Sequence, residues 1–588
     1  MRSEKLFWPK AKLSGAVCAA LLLISSLIIT NAQQGGTISG RVVNDEGTGV
    51  PNLSVYLNQA PNGRRGSINR GNIMVVTDED GNFRAAGLAP SLYAINIAQA
   101  KEYTMQPLTA AERREQRYYR TGDNVTIALV RGGVITGKVT NSDGQPIVGV
   151  QVFAMMVRDS EGFPVRQSSG GGRARATDDR GIYRLFGLSP GTYIVSSNGR
   201  MMYYGVSPYD GNVTTYHPSS SRDTATEVAV TSGGEATGVD IRFRGDRGRV
   251  VSGTVTNASE SSPTTYTNVI LQSTTSGVFT GSSNMQKDEN NRGTFAINGV
   301  TDGEYDVIAY SGGNDGIGVA VSAPRRVTVN GADVTGIELR LVPFASVSGQ
   351  LIIETPTNPC ESKSKGMIEE IMIYARTDDP SSNTSIPIYM LTSNVVPNEK
   401  GEFTLPTLMP NRYRLETRLP NEDWFTKSIA LPAPTAVRRP QTVISSKDIS
   451  RTGLELKPGD TVTGIKITIA TGAAGLRGKV TGEKEGASLP SRLRVHLVPV
   501  ESTLANDTLK YADVLMNNDG TYTFTNLAPG KYWLLARPVP NDEPVDRPAR
   551  SPVWDNTERA KLRLEAEKNK IEIELKPCQR LSEFTLKF

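Results

Sequence analysis

The chain of 588 residues has only two histidines, His217 and His496, far apart in sequence. That scarcity excludes a histidine cluster, and with it most catalytic zinc sites and the paired-histidine helix of zinc proteases. Cysteine is almost as rare, at three, which excludes a disulfide-built scaffold. No long run of Lys or Arg occurs. The formal charge of +5 owes +3 to the first 32 residues, where Arg2, Lys5, Lys10 and Lys12 face Glu4 alone, leaving 5 − 3 = +2 for the rest. A nucleic-acid binder concentrates basic residues on one face, so nucleic acid is not an expected partner. Past residue 29 no apolar run is long enough to span a bilayer, so no integral membrane segment is expected in the mature chain.

What is present favours strands. Glycine is abundant at 57 residues, Tyr (20) outnumbers Phe (14), and 38% of the chain is hydrophobic against 21% charged. The chain can bury cores, and short strands with tight turns suit this mixture better than helix bundles. At the N-terminus a positive stretch precedes an apolar run over 13–29, and Thr30, Asn31 and Ala32 then supply small residues at a cleavage site. Residues 1–32 are expected to be a cleaved secretory signal peptide. The protein is therefore expected to be exported: periplasmic, outer-membrane-associated or extracellular. Cys360 and Cys578 then remain, 218 positions apart, and two separate thiols are expected rather than one bridge.

A phrase recurs five times. Its opening glycines are Gly81, Gly181, Gly293, Gly401 and Gly520, and a tyrosine follows each after twelve positions: Tyr93, Tyr193, Tyr305, Tyr413 and Tyr532. An aromatic stands two after each glycine (Phe83, Tyr183, Phe295, Phe403, Tyr522) and an aliphatic seven after (Leu88, Leu188, Val300, Leu408, Leu527). The glycine ends a polar turn, alternation follows, and the tyrosine opens another strand. A second phrase precedes each copy, a strand carrying Gly40, Gly137, Gly253, Gly349 or Gly478. Glycine within a strand marks a bulge or a close backbone approach. Units of about 100–130 residues are whole sandwiches rather than solenoid repeats, and the short linkers between them predict a semi-rigid string.

The recurring Gly-x-Tyr-x-Phe-x-x-Leu-x-Pro-Gly-x-Tyr, as it stands from Gly520 to Tyr532, resembles the carboxypeptidase regulatory-like domain family. The resemblance spans about residues 35–540 and implies a Greek-key sandwich of the transthyretin-like, carbohydrate-binding-like kind. In zinc carboxypeptidases this domain is a non-catalytic appendage. The resemblance is specific for fold and weak for activity, because the fold serves many functions.

Few residues suggest chemistry. The turns at Asp78, Asp80, Asp178 and Asp179 hold carboxylates at the spacing hard cations need, yet ordinary turn chemistry accounts for them. No cofactor and no metal are expected. Tyr203, Tyr204, Tyr209 and Tyr216, with Trp424 further on, are candidate ring-stacking residues for a sugar, and packing of long insertions onto the sandwich is the competing reading. His217 reads as loop surface beside Ser219, Ser220 and Ser221. A capping pattern at Thr109 and Glu112, and another at Asp555 and Glu558, predict short helices.

The expectation is an all-β chain of five tandem Greek-key (prealbumin-like/Ig-like) β-sandwich domains with minor helical insertions: 33–130, 131–245, 246–342, 343–470 and 471–588. The function expected is that of an exported, non-enzymatic scaffold or binding protein of the bacterial envelope, with a polysaccharide or an envelope protein as partner. A passive spacer or adhesin-like module, and a secreted hydrolase, are the alternatives.

Overall fold

The computed structural model describes residues 35–62, 73–97, 102–107, 118–165, 174–197, 209, 212–257, 266–275, 279–287, 293–312, 318–354, 360, 366–377, 394–432, 447–482, 484, 489–490, 492–540, 543 and 551–588. The helix expected near Thr109 lies outside them. Among the described residues, regular structure is overwhelmingly β, in nine sheets. Five large apolar cores recur along the chain, one in each expected unit. They are built around Ile38 and Tyr93, Ile135 and Tyr193, Val251 and Tyr305, Val347 and Tyr413, and Leu476 and Tyr532.

The two recurring phrases are adjacent strands of one ladder. In unit 1, strand Gly36–Val43 runs antiparallel to Asn82–Leu88 on one side and parallel to Asn124–Arg131 on the other. The strand glycine lies opposite the aromatic of the second phrase in every unit: Gly40 with Phe83, Gly137 with Tyr183, Gly253 with Phe295, Gly349 with Phe403, Gly478 with Tyr522. A Cβ on those glycines would stand 1.9–2.2 Å from a backbone oxygen of the closing segment, namely that of Val125, Val239, Ile337, Ile465 or Phe584. No side chain fits there. The absent Cβ lets the parallel closing strand dock, and the aromatic ring covers the gap on the facing side. The last strand of the chain, Arg580–Lys587, is this closing strand for unit 5, parallel to Ala474–Thr481.

The turn before the aromatic is also repeated. Gly81, Gly181, Gly401 and Gly520 have φ of 73–82°. Each donates its N–H to the carbonyl three residues earlier, as Gly81 does to Asp78 at 3.0 Å and Gly401 to Asn398 at 2.8 Å. This is a tight turn that carries the chain from one sheet to the other, and its last position is left-handed, which favours glycine. Unit 3 departs from the pattern, since Gly293 begins strand Gly293–Val300. The phrase-ending tyrosine has one job in all five units. Its hydroxyl donates to the carbonyl four residues back: Tyr93 to Ala89 (2.9 Å), Tyr193 to Ser189 (2.7 Å), Tyr305 to Thr301 (3.0 Å), Tyr413 to Met409 (3.0 Å) and Tyr532 to Ala528 (2.7 Å). The ring fills the core while the hydroxyl ties down the inter-strand turn. Burial pushes the Tyr93 phenol up from its ordinary value.

Unit 5 adds a third layer. Asp555 caps helix Asn556–Asn569 by accepting from the N–H groups of Thr557 and Glu558. Leu562 and Ala566 of the helix are fully buried against Val498, Trp533, Leu535 and Trp554. Strand Leu493–Pro499 is consequently buried on both faces.

Neighbouring units join almost without linker. Strand Asn124–Arg131 leads to Gly133–Thr140 through Gly132 alone, and Val334–Pro343 leads to Ala345–Ile353 through Phe344 alone. The chain is not a simple string, however. Unit 1 packs on unit 4: Ala60 and Leu92 share an apolar cluster with Met372 and Val396, the Val396 N–H donates to Pro61 (2.7 Å), and Asn394 donates to the Tyr118 hydroxyl (3.1 Å). Unit 2 packs on unit 5: the Arg492 guanidinium lies 4.7 Å above the Phe163 ring and Asn518 donates to Glu161. Each contact joins units three apart, and in both the far end of the second strand meets the start of the corresponding strand three units on.

Gly349→Ala is expected to destabilise unit 4 by about 1–3 kcal/mol, because the new methyl overlaps the Ile465 carbonyl. Ser348→Ala, one position away, should stay within about 0.5 kcal/mol. Thermal unfolding of the two variants side by side checks this.

Candidate functional site

The candidate sugar-stacking aromatics do not assemble into a platform among the described residues. Tyr203 and Tyr204 lie outside those residues. Tyr209 is half-buried against the unit 2 core, edge-on to Phe243 with centroids 5.7 Å apart. Tyr216 sits in a two-residue strand paired with Ser196 and Ser197, and burial pushes its phenol up. Trp424, a candidate stacking residue in the sequence, is a core residue at 8% exposure. It heads strand Trp424–Leu431 in the unit 4 sheet, where alternation turns its ring inward, and its carbonyl accepts from the Asn526 amide of unit 5 (2.9 Å). Its neighbour Phe425 is half-buried with the Lys510 ammonium 5.6 Å above the ring.

The acidic turns are committed to the backbone. One Asp78 carboxylate oxygen accepts the N–H groups of Asp80 (3.0 Å) and Asn82 (2.7 Å), and Asp178 does the same for Arg180 and Ile182. These hydrogen bonds, led by that from Asn82, hold the Asp78 carboxyl below its ordinary range. Asn398 plays the same part without a charge, so the geometry needs an acceptor rather than an anion. No group of three or more His, Cys, Asp or Glu residues able to hold a metal occurs among the described residues. Nor does a serine–histidine pair form around His217. Its ring Nδ1 lies 2.5 Å from the Asp240 carbonyl, while the hydroxyls of Ser219 and Ser220 donate to backbone carbonyls.

The most elaborate chemistry lies at the seam between units 4 and 5. Cys360 and Cys578 form a disulfide, with Cα atoms 5.6 Å apart. This corrects the expectation of two separate thiols. A separation of 218 positions says nothing about distance once two sandwiches share a face. The Cys578 N–H donates to Gly472 at the junction (3.2 Å), which brings its turn over the seam. Arg580 of unit 5 pairs with Asp423 of unit 4 at 2.6 Å, and Asn526 donates to the carbonyls of Asn421 and Trp424. The Arg414 guanidinium, almost fully buried, donates to the Ser450 carbonyl (2.7 Å). Nothing in the repeat pattern marked these residues, because they lie where two units touch.

Beneath the unit 5 helix sits a second polar group. Arg494, 8% exposed, pairs with Glu543 at 2.5 Å and with Asp513 at 3.5 Å. His496 is buried on the same strand, and burial pushes its imidazole down to about 4; Arg494 and Arg537 push the same way and Asp513 opposes them. The arrangement stabilises a neutral imidazole inside the layer.

No family model matches the chain, and no curated protein matches it. Solved structures do. The Bacillus anthracis TIE protein is 10% identical, covers 52% of this chain and 50% of its own, and has a TM-score of 0.14. GBS52, the minor pilin of Streptococcus agalactiae, is 14% identical over 36% of this chain and 96% of its own, with a TM-score of 0.20. A streptococcal ancillary pilin is 13% identical over 52% of this chain and 99% of its own, with a TM-score of 0.16. The chain spans half the length of the first of these. With TM-scores of this size, the sandwich assignment rests on the chain's own strands and registers.

Two outcomes are expected here. Digestion under non-reducing conditions should yield one peptide pair linked through Cys360 and Cys578, which separates on reduction. The His496 imidazole signal should titrate near pH 4 in the folded protein. Its folded value lies below the ordinary 6.5, so the unfolded chain binds the proton first. Stability from this group is therefore full above pH 6.5 and is lost as pH falls towards 4. Chemical denaturation across that window should show the decline, and His496→Gln should flatten it.

Proposed function

We propose that this protein is an exported, non-enzymatic scaffold of the bacterial cell envelope, built to hold a fixed shape between the surfaces or partners it joins. The observation that carries the reading is how the five sandwiches are tied: one- or two-residue junctions at three seams, contacts between units three apart, and a disulfide clamping units 4 and 5. Free-swinging beads need flexible linkers and polar, separable interfaces. This chain has spent its apolar and cationic side chains on closing those interfaces. The disulfide fits an oxidising compartment, in agreement with the signal-like segment at residues 1–32. The polar groups of the candidate sites are engaged in turns and seams, which supports a structural role over catalysis. Protein partners fit this reading better than a polysaccharide, because Tyr209, Tyr216 and Trp424 are used in packing.

Small-angle scattering tests the reading. A compact chain of this length has a radius of gyration of about 25 Å. The doubled-back block should lie modestly above that value and change little between low and high salt. A radius more than about twice as large, or a distribution that broadens with salt, would show beads on a string and end the proposal.

A further inference from the structure

Unit 5 departs from its neighbours at the turn before its closing strand. That turn reads Lys457-Pro458-Gly459-Asp460 in unit 4 and Lys576-Pro577-Cys578-Gln579 in unit 5. The two are built alike. The first residue's N–H donates to the side chain of the fourth, Lys457 to Asp460 (2.8 Å) and Lys576 to Gln579 (2.7 Å), and the fourth's N–H returns to the first carbonyl. The fourth carbonyl then accepts from the opening strand, Asp460 from Ser346 and Gln579 from Gly475. Units 1 and 2 close the same turn from Asp123 to Arg120 and from Gly234 to Thr231. Its third position is left-handed. Units 1, 2 and 4 fill it with Gly122, Gly233 and Gly459, at φ of 98°, 65° and 74°, and unit 5 with Cys578 at 62°. A side chain is unfavourable there, so the fold of unit 5 does not by itself account for this cysteine.

Its bond to unit 4 does. Asn526 likewise stands, at φ of 58°, where units 1, 2 and 3 have the left-handed Gly87, Gly187 and Gly299, and its amide also crosses to unit 4. Two side chains that replace a repeat glycine thus serve the same seam. Around them the Ala473 N–H donates to the Asp423 carbonyl (2.9 Å), and Arg580 pairs with the Asp423 carboxylate, the two side chains 38% and 19% exposed. These ties are polar and partly open to water, where an ion pair holds weakly. The disulfide is their covalent member. Elsewhere along the seam the Thr508 hydroxyl donates to Ser450 (2.7 Å) and Leu509 packs against the unit 4 core, so opening the disulfide leaves unit 5 attached.

Both cysteines are half-buried rather than sealed in a core. A disulfide within reach of solvent exchanges with thiols more readily than a buried one. We propose that the Cys360–Cys578 bond is a redox latch, which an exported dithiol opens to loosen the closing turn of unit 5 from unit 4. One thiolate of the dithiol attacks the sulfur of Cys360, the bond between the cysteines breaks, and Cys578 leaves as a thiolate that takes up a proton. The second thiolate of the dithiol then displaces Cys360 as its thiol. Two electrons and two protons pass to the protein, and the dithiol becomes a cyclic disulfide. A disulfide oxidant reverses the exchange. The inference rests on the scaffold reading and adds what sets the stiffness of one seam.

Dithiothreitol added to the purified, folded protein tests this. Cys360 and Cys578 should become alkylatable without denaturant. Amide exchange in peptides covering 472–476 and 576–580 should then speed up at least about tenfold, and oxidised dithiothreitol should reverse the change. Cys578→Gly restores the residue that units 1, 2 and 4 use. It should fold, with a thermal transition no lower than that of the reduced protein, and exchange fast in whatever thiol conditions. A bond that dithiothreitol opens only after denaturation would overturn the proposal. So would reduction that leaves both peptides unchanged, or a Cys578→Gly chain that cannot fold. The scattering test above uses the oxidised chain alone. An extended oxidised chain ends the scaffold reading, while a compact one with an unresponsive seam ends only the latch.

Discussion

Each sandwich depends on one close approach. The closing strand must lie parallel to the opening strand at a separation that leaves no room for a side chain, and a glycine therefore stands at the crossing in all five units. The consequences spread outward. A glycine in a strand leaves a gap, and the ring opposite it fills that gap. The ring fixes the register of the antiparallel neighbour, and that register places the glycine that ends the preceding turn and the tyrosine twelve positions later. The tyrosine then brings its own strand to the same core, on a second sheet in units 1, 2, 4 and 5 and on the one continuous sheet of unit 3, and its hydroxyl reaches the carbonyl four residues back. A one-residue slip would turn every apolar side chain of these strands outward, so the glycine and its aromatic act as a pin for the whole unit.

Because opening and closing strands are neighbours, each unit ends beside the place where it began, and the next begins one or two residues later at three of the junctions. That geometry forces successive sandwiches into close contact and limits how they can turn. The chain uses the restriction to fold back, so that unit 1 rests on unit 4 and unit 2 on unit 5. The two contacts use different chemistry at matching places. The first is an apolar cluster around Met372, and the second a guanidinium over Phe163 with amide and carboxylate groups beside it. The disulfide adds a covalent tie at a seam already held by Arg580, Asp423 and Asn526. These ties restrict how far one sandwich can move against another.

The aromatic residues outside the repeat allow two readings, a ligand platform or the packing of an insertion. Tyrosines and a tryptophan in irregular stretches resemble ligand platforms, yet a long insertion must bury something to stay on its sandwich. Tyr209 meets that need against Phe243. Trp424 heads a strand rather than a loop, and its ring completes the unit 4 core.

The local grammar was legible in the sequence, because it repeats: the strand glycine, the glycine that ends a polar turn, the aromatic, the aliphatic and the tyrosine that opens the next strand. So was the cap at Asp555, since caps depend on neighbours in the chain. All of these come from interactions within about a dozen residues or from a pattern repeated often enough to reveal its partner. The pairing of Cys360 with Cys578, the burial of Trp424 and the neutral His496 under a helix were decided by the tertiary structure. So was the stacking of units three apart. Each depends on which sandwich face meets which, and the side chains that settle this lie at non-repeating positions far apart in the chain.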